Sequence, residues 1–222
     1  MFIIIGSVHL DPQGPELLKT ALEQLMPSAV TIDVSRYAVR FRREKGPELL
    51  ARLEPFRRSD GTLPASLEAV EAQIAMPFEV SAVESWCKIY DKEYHMLGDD
   101  NDSIRRLELF ETELMSPENL SFLATRRMAS LTSQARLQWE KARAGRMNTP
   151  SIRGPLGLIA PPGFHPVAAE PCDERIAGLL RTLLPQSDRM LHVTGWEHLP
   201  PLADLLADFS PFLRLLDEFS RQ

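Results

Sequence analysis

The sequence predicts an α/β protein, with a mainly parallel central sheet flanked by helices and a helical insertion, in one domain spanning residues 1–222. Three observations carry this. A strand, a helix and a second strand follow one another in the first 34 residues, a spacing that fits a right-handed βαβ crossover between parallel strands. Further short apolar runs, at 94–97 and 189–194, are set apart by helical segments, the alternation of a layered α/β fold. A content of 44% hydrophobic and 25% charged residues in 222 is that of a globular chain able to bury one substantial core.

Phe2 to Ile5 is a continuous apolar, β-branched run ending at Gly6, as expected of a strand covered on both faces. Asp11 offers a helix cap, with Pro12 or Pro15 in the first turn. Leu17, Leu18, Ala21, Leu22 and Leu25 then form a stripe at helical spacing that Pro27 stops. Ala29 to Val34 is the second strand. Arg36 to Phe56 reads as a basic helical segment, broken by the Ser59-Asp60-Gly61 turn. Leu67, Val70 and Ile74 mark one helix, and Val83, Trp86, Cys87 and Tyr90 another. Tyr94 to Leu97 is a third strand, ending in Gly98-Asp99-Asp100-Asn101. Helices follow at 103–114 and from Pro117 to about Ala144, the second the longest in the chain. A Pro- and Gly-rich connector runs from Pro150 to Pro166. A helix at 172–184, a strand at 189–194 and a helical region from 201 complete the order. The insertion, with its connector, is expected over about 102–186.

A net charge of −6 argues against nucleic acid as the main partner. Cys87 and Cys172 form no C-x-x-C pair, which fits a reducing cytosol and excludes a cysteine zinc site. Met1 to Leu10 lacks a basic n-region and reads as a strand, not a secretory signal. No stretch approaches the ~18–20 apolar residues of a membrane span. The expectation is a cytoplasmic protein with no membrane partner.

Gly6-Ser7-Val8-His9 leaves the first strand, and Gly195-Trp196-Glu197-His198 leaves the last. In open parallel sheets, ligands bind beyond the carboxyl ends of the strands, so both imidazoles are expected at one sheet edge. If the two strands are neighbours, His9 and His198 can share a ligand or a divalent metal ion, since neutral imidazole is the commonest transition-metal ligand. The plainer alternative is two unrelated loop histidines.

Three further residues qualify. Asp33 ends the second strand, as a site carboxylate or as a cap for the segment from Arg36. Glu79 falls on the stripe of Val83 and Trp86, as a site carboxylate or as a first-turn acid favouring the helix dipole. Arg127 falls within the inward stripe of Leu120, Leu123, Ala124, Met128, Leu131 and Ala135. A buried arginine needs an anionic partner, which is either an internal carboxylate or a developing oxyanion. Arg36, Arg40, Arg42, Arg43 and Lys45 read as a solvated helix face, with a phosphate-facing role as the alternative. Asp99-Asp100-Asn101-Asp102 lacks the glycine and the final glutamate of a calcium loop, and His192 lies inside a strand. G-x-G-x-x-G, P-loop and G-x-S-x-G motifs are missing, so nucleotide binding and serine hydrolysis lack support.

These segments resemble the TraB/PrgY and TIKI group of the EreA/ChaN-like superfamily. The resemblance runs in order through G-S-V-H, T-I-D-V-S-R-Y, F-E-V-S-A-V-E-S-W-C-K-I-Y-D-K-E-Y-H-M-L-G-D-D and L-H-V-T-G-W-E-H-L. It implies an α/β core with helical insertions and a site of two histidines and acidic residues. TIKI members are described as divalent-metal-dependent proteases, and TraB/PrgY members have roles in peptide pheromone control. The family carries glutamate where this chain has Asp33. Its arginine aligns with Ala124 when Met128-Ala129 is matched, which leaves Arg127, nearly one turn later, as the substitute.

The leading expectation is a metal-dependent hydrolase of a peptide or amide bond. His9 and His198 bind the divalent cation, Asp33 or Glu79 serves as ligand or general base, and Arg127 stabilises the oxyanion. Two alternatives stand beside it: a non-catalytic protein that captures a small molecule or peptide in the same pocket, and metal-free anion recognition.

Overall fold

The computed structural model describes residues 1–145 and 170–220; the predicted connector from Pro150 to Pro166 lies outside them. Five strands, β1 (Phe2–Ser7), β2 (Ala29–Ile32), β3 (Glu93–Met96), β4 (Met190–Gly195) and β5 (Phe212–Leu215), form one parallel sheet in the order β3-β2-β4-β1-β5. The predicted α/β class is what the chain adopts. The crossover helix between β1 and β2 is α1 (Gly14–Leu25), started by a proline in its first turn. It lays Leu18, Ala21 and Leu22, each fully buried, on the sheet. Each such leucine contributes about 1.5–3 kcal/mol by leaving water.

Two apolar cores result. The first joins β1, β2 and β4 to α1, to α4 (Phe78–Tyr90) and to α8 (Glu170–Leu183). The second is helical. It gathers Phe41 and Leu49 of α2 (Arg36–Ala51), Leu67 and Val70 of α3 (Ala65–Ile74), Leu107 of α5 (Asp100–Leu109) and Leu120 of α6 (Pro117–Ala124). Among the described residues no helix is long and apolar enough to cross a membrane.

Two elements differ from the expectation. The long helix from Pro117 is two, α6 and α7 (Leu131–Gly145). Thr125 folds its hydroxyl back to the Phe122 carbonyl, and Ser130 starts the second helix by accepting from the Ser133 N–H at 3.3 Å. Side-chain hydroxyls of this kind compete with helical backbone bonds and favour helix ends. The inward face of α7 is accordingly Ala135, Trp139 and Ala142. The expected terminal helix is also broken, into α9 (Leu199–Leu205) and then β5. Its apolar residues suit a helical stripe, but Pro211 disfavours helical backbone at Ser210, which sits at φ 48. The chain thereby turns back to pair with β1.

Candidate functional site

β1 and β4 are adjacent, with Ser7 opposite Gly195 and Gly6 opposite Thr194. The two G-x-x-H turns therefore leave neighbouring strands at the same edge. Glycine is required where they pass each other. A Cβ on Gly6 would stand 2.6 Å from Leu199 Cδ1 and 2.8 Å from the Trp196 backbone. A Cβ on Gly195 would stand 3.0 Å from His9 Nε2, 3.1 Å from Glu197 Oε2 and 3.3 Å from His198 Cδ2. Both imidazoles and a carboxylate thus converge on the space that Gly195 leaves open.

Each imidazole is held from behind. His9 Nδ1 is 2.7 Å from Glu79 Oε1, and Ser7 Oγ donates to the same oxygen at 2.8 Å. Glu79 is buried in the first turn of α4, and its Oε2 has no hydrogen-bond partner among the described residues. His198 Nδ1 is 2.5 Å from Asp173 Oδ1, on α8, and His198 Nε2 lies 3.7 Å from Asp33 Oδ2. Asp33 follows β2, bonded through its N–H to the Val193 carbonyl at 3.0 Å and through Oδ2 to the Thr194 hydroxyl at 3.2 Å.

The electrostatics follow from this packing. Partial desolvation of the half-exposed ring pulls the His9 pKa down, but the Glu79 charge and hydrogen bond, with Glu197 and Asp33 beyond, lift it to about 9. Burial raises the Asp33 carboxyl, and the neighbouring His198, His192 and His9, with the Thr194 bond, outweigh it and leave the carboxyl below its usual range. His192, buried inside β4 against the Thr31 hydroxyl at 2.9 Å, is pushed by burial down to about 4 and stays neutral. Burial, then the charges of Asp33 and Asp173, push the Cys172 thiol up to about 11, so it is no nucleophile at neutral pH.

The structure brings together His9, His198, Asp33 and Glu79. It separates Arg127, which is exposed in the connection between α6 and α7. The inward stripe that placed it assumed one continuous helix, and the break after Ala124 removes that premise. The arginine whose charge Glu79 meets is Arg42 of α2, which donates to the Ala38 and Gln73 carbonyls. Burial brings its pKa to about 10. Two acids were not anticipated. Glu197 was within the second motif itself, where its place between Gly195 and His198 was the available signal. Asp173 comes from a helix whose approach to His198 no local pattern announces.

Comparison of the chain with protein-family models, with curated proteins and with solved structures finds no match. Among the described residues, no three histidine, cysteine or carboxylate side chains stand ready as a cation cage. The donor chemistry nevertheless fits a divalent ion: two imidazoles, each with Nδ1 on a buried carboxylate, and the opening at Gly195 that a methyl group would fill. Metal-ligating histidines characteristically give their second ring nitrogen to such a carboxylate.

Proposed function

We propose that this protein is a divalent-metal-dependent hydrolase acting on a peptide or amide bond. One observation carries the reading: two carboxylate-backed imidazoles from neighbouring strand ends converge with Glu197 on the gap at Gly195. The motif resemblance to the TraB/PrgY and TIKI group points the same way. His9 and His198 would hold the cation, with Asp33 or Glu197 supplying a carboxylate. A bound divalent ion polarises a carbonyl and acidifies water. Glu79 and Asp173 fix the two rings. Asp33, ionised and oriented by Thr194, would accept a proton from attacking water.

A second reading, capture of an anionic small molecule or peptide without turnover, draws on a different observation. His9 keeps its proton to about pH 9 and offers a half-exposed cation. Measured metal content and divalent-ion affinity separate the two. Stoichiometric metal that a His9→Ala, His198→Ala double variant loses supports the hydrolase. No metal in either protein, and no uptake on addition, leaves the capture reading.

A further inference from the structure

A second groove, whose lining includes none of the histidines, lies between α2 and the edge strand β3. α2 begins at Ser35, which accepts from the Ala38 N–H, and its first turn contains no acidic residue. Helix starts favour acids, because the backbone N–H groups there already carry partial positive charge. This helix instead opens with Arg36 and repeats the charge at Arg40 and Arg43, positions that share one face. Local rules broken in this way are expected where a residue serves a ligand and not the fold.

That face borders a groove of about 580 Å³, a size that holds small ligands. Val39 lies on one side, and Tyr94 and Met96 of β3 on the other. β3 is the sheet's edge strand, and no further strand covers it among the described residues. Of the three arginines, Arg43 is engaged. It pairs with Glu84 at 3.2 Å, and Glu84 also accepts from the Tyr94 hydroxyl at 2.7 Å. Arg36 and Arg40 have no ion pair among the described residues, and the Arg40 guanidinium lies over the face of Tyr37, 5.4 Å from its centroid. Of the neighbouring acids, Asp100 is taken by the Tyr37 N–H at 2.8 Å, and Glu44, four residues after Arg40 on the same helix, joins Glu84 in the groove lining. A surplus of positive charge beside an apolar wall, in a chain of net charge −6, is a specific feature.

We infer that the groove between α2 and β3 binds a small amphipathic anion, with its carboxylate or phosphate on Arg36 and Arg40 and its apolar body on Val39, Tyr94 and Met96. The guanidinium fork suits either oxyanion, because it donates two parallel N–H groups to two oxygens. Binding here is independent of the hydrolase reading and uses none of its residues.

Calorimetric titration of the full chain with inorganic phosphate, hexyl phosphate and hexanoate tests it. At least one six-carbon ligand should saturate the protein and bind more tightly than inorganic phosphate. The tighter of the two identifies the head group. An Arg36→Gln, Arg40→Gln double variant should lose about tenfold or more in affinity. Lys88→Gln, which removes an exposed charge elsewhere on the surface, should stay near wild type. The His9→Ala, His198→Ala variant should bind as wild type does, which separates failure here from failure of the hydrolase reading. Absence of saturable binding, or equal weakening by Lys88→Gln, overturns the proposal. Six-carbon ligands no tighter than inorganic phosphate overturn it too.

Discussion

Replacing Gly195 by alanine separates the role of the cradle in function from its role in stability. Gly195 sits at φ −60 and ψ 142, extended backbone that alanine adopts freely. A Gly→Ala change at a compatible position stabilises by about 0.4–1 kcal/mol through the unfolded chain. Against this stands crowding by a Cβ at 3.0–3.3 Å from His9 Nε2, Glu197 Oε2 and His198 Cδ2. All three are side-chain atoms, and His9 is half-exposed, so a shift of a few tenths of an ångström relieves the contact. The two effects should nearly cancel, leaving urea stability within about 1 kcal/mol of wild type. Divalent-ion binding is expected to fall at least about a hundredfold, because the methyl group fills the point on which the donors converge. Urea denaturation and titration with zinc or cobalt read the two quantities on one sample. If Gly195→Ala binds the ion as wild type does, the donors do not meet there and the proposed centre is refuted. Gly6→Ala is the contrast. Its Cβ would meet the Trp196 backbone at 2.8 Å, so a stability loss of about 1–3 kcal/mol is expected.

Four other outcomes are expected. The His9 pKa is raised, so the His9–Glu79 pair contributes its full stability below about pH 6.5 and loses it as pH rises through about 9. The contribution is small because His9 is half-exposed. NMR titration should place His9 near 9 in the wild type and well below that in Glu79→Gln, and a value unchanged by the substitution would disprove the pairing. Proton and cation compete for the same imidazole, so divalent-ion affinity should climb with pH up to about 9 and level off above it. Trp139→Phe removes the 2.8 Å bond from Nε1 to Asp11 Oδ2 in a buried position. It should cost about 1–3 kcal/mol in urea denaturation, and a loss within error of zero would show that water satisfies Asp11 equally well. Arg127→Ala, at an exposed position, should change stability by no more than about 0.5 kcal/mol and leave divalent-ion affinity alone; a large fall in that affinity would return the residue to the site.

Much of the fold was legible because its signals are local. The apolar run Phe2 to Ile5, the stripe of α1 and the punctuation at Pro27 each declare themselves within a few residues. The placing of His9 and His198 at one edge was legible too, since both glycines end strands of a parallel sheet. That their strands are neighbours is a tertiary fact. Arg127 was misplaced because periodicity continues across 125–130, while Thr125 and Ser130 end and restart the helix by side-chain bonds that periodicity ignores. β5 escaped because four residues are too few to show a strand period, and the neighbouring leucines and phenylalanines mimic a helical stripe. Asp173 was beyond reach for another reason. Its meaning depends on how α8 docks against the turn carrying His198, 25 residues later in the chain.

The adjacency of β1 and β4 also sets when the site can exist during folding. Ser7 and Thr194 touch although 187 positions separate them, and Glu79 and Asp173 arrive from two further points along the chain. Closing loops of such length is slow, and non-local pairings form late. Before β1 and β4 pair, nothing holds the two imidazoles together. A cation that requires both would bind only chains in which β1 and β4 have paired, so its uptake would report that pairing.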